Sequence, residues 1–426
     1  MTDPKLLAEF DALPFNEKAI LALLALAGEP MGRTAILDHL KHARIEQDND
    51  GNLYTVATLD DSMSRLERLA FISAVTGRGF VCNPKLRWPA IRSAIGTHAM
   101  EDLCAAYAEL VPMRQTWNSM EPRSYRAGMA RLRMGLLRGH GPQQIQQVLA
   151  FCLGSYEAAQ LHPIVDIFGR PFEPGMIMLV SPLLQDDVLA VLLHHAQHEP
   201  ASVPAIREYC EMHMQRRHGD VNAELRMAMA EDALLCGRLD DAKRYLERTA
   251  GAQSQYLASI VVLLRGAGSA AITGFDVALK TLRRDTGKRK QLFSGMGQQL
   301  YLLAALRSGD SRHLKAADSY LEIAVKLPKN HDSSIHQQID MLRQIRAGTM
   351  PVEAVSKLPW EPALQTQMFQ YLLYFWLSLP ELQQRKEQLQ ELVQHAERAG
   401  QADRTGRVTL DDCGTERLGQ HHEVAL

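Results

Sequence analysis

Residues 58–82, TLDDSMSRLERLAFISAVTGRGFVC, decide how the front of this 426-residue chain is read. Thr58 is placed to open a helix, with Asp61 three positions on as a capping partner. Leu59, Met63, Leu66 and Leu69 recur at helical spacing and define its inward face. Phe71 to Val75 and Phe80 to Cys82 are short apolar runs on either side of Thr76-Gly77-Arg78-Gly79, the pattern of a β-hairpin. Toward the N-terminus, Asn16 to Ala27 is an apolar helix with Ile20, Leu21, Leu23, Leu24 and Leu26 on its buried side. Gly28-Glu29-Pro30 ends it, and a short helix runs from Arg33 to Lys41. Asp48-Asn49-Asp50-Gly51-Asn52 is a loop by composition. Three helices and a hairpin in that order predict a winged helix-turn-helix over residues 1–96. Such a module usually binds nucleic acid and sometimes protein.

Toward the C-terminus almost every segment keeps helical period. Residues 97–174 form an expected helical linker block, interrupted at Pro112, Pro122 and Gly139-His140-Gly141-Pro142. The Pro-rich interval from Pro163 through Pro171 and Pro174 to Pro182 predicts an ordered surface loop, with a domain boundary near Pro174. Beyond it, helical segments end at Gly237, Gly266 to Gly268, Gly309 and Gly348, a recurrence of roughly 30 to 40 residues. The clearest unit is Ala223 to Arg248. There Leu225, Ala228, Met229, Ala233 and Leu234 face Ala242, Tyr245 and Leu246 across a turn at Gly237. Gln299 to Leu327 repeats it with Leu302, Leu303, Ala305 and Leu306 against Ala316, Ala317, Tyr320 and Ala324. Small alanines let two helices approach closely, as in a tetratricopeptide-like hairpin. The expected fold is therefore mainly α: a winged helix-turn-helix, the linker block, and a tetratricopeptide-like α-solenoid over residues 175–399. Residues 400–426 carry few apolar anchors. They read as a poorly ordered tail, or as the end of a chain truncated or frame-shifted relative to a longer one.

Charged residues at 23% and apolar residues at 46% are those of an ordinary globular protein. A net charge of -2 gives no global attraction to nucleic acid, so any such binding must come from local patches. No apolar run reaches the ~18 residues of a membrane span, and the first residues lack the apolar stretch of a secretory signal. The six cysteines are scattered without a close pair, which predicts reduced thiols in a cytoplasmic protein.

Chemistry-bearing motifs are missing from the pattern. Gly287-Lys288 has no strand before it and no phosphate-loop context, and no nucleophile elbow or Cys-x-x-Cys pair occurs. His194 and His198 share a helix face, but His195 stands where a metalloprotease places glutamate; a polar helix end is the expectation. Cys210, His213 and His218 likewise read as a buried cysteine beside surface histidines. No enzyme, cofactor or metal is expected.

Cationic clusters are the remaining candidates. On the helix opened by Thr58, Ser62, Arg65 and Arg68 lie opposite or beside the apolar face, where this kind of fold enters the DNA major groove. Arg78 in the hairpin turn would meet a phosphate, and Arg33 at a helix start would contact the backbone. Asp60, Asp61 and Glu67 on the same helix oppose this. A second patch holds Arg123, Arg126, Arg131, Arg133 and Arg138, with no carboxylate from Pro122 to Leu149; its density suits a phosphate channel, and a solvated or ion-paired face is its plain reading. A third holds Lys280, Arg283, Arg284, Lys288, Arg289 and Lys290, broken only by Asp285; a solvated helix end is its plain reading.

Three stretches carry a family likeness: Phe10-Asp11-Ala12-Leu13-Pro14, then Arg170-Pro171-Phe172-Glu173-Pro174 ahead of Ser181-Pro182-Leu183-Leu184, and the helix Phe369 to Leu377. In these the chain resembles the N-terminal accessory region of large bacterial Swi/Snf-type helicase-like ATPases. The resemblance implies a region that helps place a DNA-translocating motor lying far downstream. The motor motifs themselves are not in this sequence. The expected function is thus a non-enzymatic, DNA-associated accessory module, its winged helix on duplex DNA and its solenoid docking a protein partner such as a motor ATPase. The competing expectation is a pure protein-interaction scaffold or the sensor region of a transcriptional regulator.

Overall fold

The computed structural model describes residues 4–47, 51–117, 120–196, 203–289, 291–308, 310–326, 340, 343–344 and 347–351. Among these residues the chain is mainly helical, with eighteen α-helices and two short antiparallel ladders. It divides into two compact units, Met1–Leu192 and Leu193–Leu426.

The first unit is built around one helix. After α1 (Pro4–Asp11), α2 (Phe15–Ala27) is buried at every position from Ala19 to Ala27. The sequence suggests one buried side; the structure covers all of them, because later elements pack around the whole circumference. A helix apolar all round belongs at a core, and each such leucine removed from water is worth about 2 kcal/mol. α3 (Arg33–His42) and α4 (Val56–Arg68) follow, then β1 (Ile72–Val75) and β2 (Gly79–Cys82), with Ile72 opposite Cys82. Phe80 exchanges backbone hydrogen bonds with Met31, at 2.9 and 3.0 Å. Gly79 makes that approach feasible: at φ +108°, a Cβ would stand 2.2 Å from the Met31 carbonyl oxygen.

α4 begins earlier than Thr58. Thr55 is its N-cap, and Thr58 is the third-position partner: Thr58 N–H donates to Thr55 Oγ1 at 3.3 Å and Thr55 N–H to Thr58 Oγ1 at 2.9 Å. Two threonines thus do what the sequence assigns to Thr58 and Asp61.

α5 (Arg87–Gly96) and α6 (Ala99–Leu110) pack against α2 and against each other. A second ladder, β3 (Arg114–Gln115) with β4 (Met120–Glu121), joins α6 to α7 (Tyr125–Leu137); the sequence predicts only the first hairpin. After α8 (Pro142–Leu153), the interval expected as a surface loop instead contains α9 (Pro163–Phe168) and α10 (Pro174–Ile177). Ile164, Val165, Ile167, Phe168, Met176 and Ile177 are buried. Pro163 and Pro174 stand at the first helical position, where the missing N–H is not needed, so they start these helices rather than prevent them. α11 (Pro182–Ala196) follows.

In the second unit, α12 (Val203–Arg216) precedes three successive helix pairs: α13 (Ala223–Leu235) with α14 (Leu239–Leu246), α15 (Ala252–Leu264) with α16 (Gly268–Thr286), and α17 (Gly295–Ser308) with α18 (Ser311–Lys326). Adjacent pairs also touch, α14 on α15 and α16 on α17. Leu225, Ala228, Met229, Ala233, Leu234, Ala242, Tyr245 and Leu246 are all buried, as are Leu302, Leu303, Ala305, Leu306, Ala317 and Tyr320. Phe275, Phe293 and Tyr301 meet edge-on or tilted, with centroids 5.8 to 6.1 Å apart. The expectations for the helix Phe369 to Leu377, for the end of the solenoid up to residue 399 and for the tail 400–426 lie outside the described residues.

Candidate interaction surface

Arg33, Ser62, Arg65, Arg68 and Arg78 do not form one free cationic face. Ser62 is buried, since its place in α4 turns it toward the interior, and that withdraws it from any groove. Arg65 reaches back to α2, its guanidinium 3.4 Å from Glu17 Oε1. Glu17 itself is 2% exposed, and its other oxygen is buried without a hydrogen-bond partner among the described residues. Burial pushes the Glu17 carboxyl above its ordinary range, and the Arg65 charge draws it part of the way back. Arg65 is therefore half-occupied in compensating an interior carboxylate. Arg33 donates through Nε to Asp60 Oδ1 and lies over the Phe80 ring, 4.9 Å from its centroid.

Arg68 and Arg78 remain exposed, with no carboxylate partner among the described residues. On the same helix Asp61 and Glu67 are also exposed, with no ion pair among the described residues. Two apolar side chains share the start of α4: Leu53 is 63% exposed and Val56 51% exposed. Neither falls on an apolar period in the sequence. Their only signal is that they flank Thr55, one in a polar loop and one at a helix start.

Two arginines of the second patch, Arg131 and Arg133, are drawn into the fold. Arg133 is 1% exposed; its Nη1 donates to the carbonyls of Leu26 (3.1 Å) and Ala27 (2.9 Å), and its Nη2 lies 3.4 Å from Asp166. It closes the C-terminal end of α2, whose last carbonyls have no helical partner. Gly28, at φ +64°, leaves the room: a Cβ there would overlap the guanidinium at 2.0 Å. Arg131 does the same for α6, donating to Val111 O at 2.6 Å and Ala108 O at 3.3 Å. Arg138 pairs with Glu101, Nε to Oε1 at 3.1 Å. Arg123, Arg126 and Arg138 stay exposed, the last in its pair with Glu101. Two members of a run of arginines without nearby carboxylates in sequence thus serve carbonyl oxygens brought from elsewhere in the fold.

In the second unit a buried polar network lies behind the apolar repeat pattern. Asp232, 1% exposed, receives Arg207 Nε at 2.6 Å and Arg238 Nη2 at 3.0 Å, and Arg238 also reaches Glu211 at 3.2 Å. Glu231 accepts from Gln253 at 3.2 Å and Tyr256 at 3.4 Å. His194 Nδ1 is 3.4 Å from the other Glu231 oxygen, and this bond raises the His194 pKa. His198 lies outside the described residues. Among the described residues, no group of three or more His, Cys, Asp or Glu is arranged to hold a metal ion. Nor is any helix there long and apolar enough to cross a membrane.

Of the third patch, Lys280, Arg284, Lys288 and Arg289 are exposed, and Arg283 donates to Gln291 O at 3.1 Å. Lys290 is outside the described residues. No protein-family model, curated protein or solved structure matches this chain.

Proposed function

We propose that this chain is a non-enzymatic interaction module of the cytoplasm. Its head is a winged helix-turn-helix that docks a protein partner, and its second unit is a tetratricopeptide-like array that scaffolds a further protein contact. The order α2, α3, α4, β1, β2 supports the reading of the head, and the successive helix pairs support that of the array.

One observation favours protein over DNA at α4. The helix start exposes Leu53 and Val56, while Ser62 is buried and Arg65 and Arg33 are held by carboxylates. With Asp61 and Glu67 outward, the unpaired charge of α4 is negative on balance, which repels phosphates. A partner that presents an aliphatic patch flanked by lysine or arginine fits this end. A photo-crosslinking residue placed at Val56 in the native cell should capture a protein, and Leu53→Asp should suppress the adduct. Absence of any protein adduct would count against the proposal.

The second reading is contact with duplex DNA, and the exposure of Arg68 and Arg78 favours it. It would align the head with the resemblance to the accessory region of a helicase-like ATPase. Duplex affinity that falls with salt and is lost in Arg68→Ala/Arg78→Ala would establish it.

A further inference from the structure

The end of α16 carries an unbalanced positive charge that the proposed function leaves unused. α16 closes on Gly287, whose φ of +65° turns its N–H back to the Arg284 carbonyl at 3.3 Å. From Lys280 to Arg289 the sequence holds Lys280, Arg283, Arg284, Lys288 and Arg289 against the single carboxylate of Asp285.

Cations in a last helical turn are ordinarily explained by the exposed carbonyls there, and Arg283 and Arg284 fit that account. Lys288 and Arg289 lie past the cap, where the helix field has ended. Arg284 pairs with Asp285 at 3.2 Å, yet its side chain is 77% exposed. Among the described residues no carboxylate pairs with Lys280, Lys288 or Arg289. Elsewhere in this unit the arginines at 207, 238, 265, 312 and 343 are each held by an aspartate, while Arg216, Arg217 and Arg248 stand singly with no ion pair among the described residues. The segment therefore keeps five cations together with one carboxylate, Asp285, as internal compensation.

The character of its surroundings selects the ligand. Protein interfaces anchor on buried aromatic or aliphatic side chains. Between Lys280 and Arg289 none is exposed, and Val277, a turn earlier, is the nearest. A phosphate backbone asks only for cations within reach on flexible stems. We infer that the α16 end, through Lys280, Arg284, Lys288 and Arg289, binds the phosphate backbone of nucleic acid without regard to sequence. This does not depend on what the first unit docks.

The test is anisotropy of the full chain with a short labelled duplex of arbitrary sequence, between about 50 and about 200 mM salt. Four phosphates neutralised give a log–log salt slope of about -3.6, or roughly 100-fold weakening over that range. Lys280→Gln/Arg284→Gln/Lys288→Gln/Arg289→Gln should abolish the binding, whereas Lys280→Arg/Lys288→Arg should retain it; circular dichroism of both should match the native chain. The inference is overturned if the native chain ignores the duplex, or if the four-glutamine variant keeps its affinity and slope. It is overturned also if a glutamate-rich peptide displaces the duplex at equal charge, which would make the ligand an acidic protein segment. Loss of binding in Arg68→Gln/Arg78→Gln alone would assign the DNA contact to the head and likewise remove it. None of these outcomes bears on the protein adduct at Val56, so the two proposals fail separately.

Discussion

Arg133 shows at residue scale how a chemical type leaves its role open. Its charge invites a phosphate, but its hydrogen bonds go to the last carbonyls of α2 and to Asp166. Truncation to alanine removes charge-assisted bonds and leaves a cavity, so Arg133→Ala should lower stability by about 3 kcal/mol, read from urea midpoints. Glu17 offers a pH test. Its folded pKa lies above the ordinary 4.5, so the stability it contributes is complete below that value and declines as pH rises through the folded one. Glu17→Gln should therefore gain on the native chain between acid and neutral pH, and a stability gap unchanged across that range would contradict the assignment. His194 has the same sign on a higher range: its pKa is raised by Glu231, so its contribution fades as pH climbs past its ordinary 6.5.

Elements depend on their ends. The Thr55–Thr58 capping box starts α4, and Thr55→Ala should cost about 1 kcal/mol in chemical denaturation. Gly79→Ala should cost more, about 2 kcal/mol or above, because the hairpin must then leave the Met31 backbone. Most elements were legible: the α2 apolar run, the β1–β2 turn and the alanine-rich α13–α14 pair all carry their period in sequence. The buried helices α9 and α10 were not, because proline density signals a loop unless one knows that Pro163 and Pro174 sit at first helical positions. The two-residue ladder of β3 and β4 is too short to carry any period.

For the whole molecule, thiols give a probe of each unit. Cys82, Cys104 and Cys152 in the first unit and Cys210 and Cys236 in the second are reduced and buried. Burial pushes the first three up to about 12, far from the thiolate that reacts. Native protein at neutral pH should resist iodoacetamide at all five, and labelling mapped by peptide across a urea series should report each unit's own transition. Rapid labelling of any of them without denaturant would contradict the burial.

Sequence alone determined where apolar period runs, and with it the helical class, the hairpin and the recurring pairs; local spacing suffices because period and turn chemistry are properties of neighbours along the chain. Which charges face outward was decided only by tertiary structure. Arg133 meets carbonyls 106 and 107 positions away, and Arg65 meets a carboxylate 48 away. Whether a cation is spent inside or left for a partner depends on groups that folding alone brings within hydrogen-bond reach.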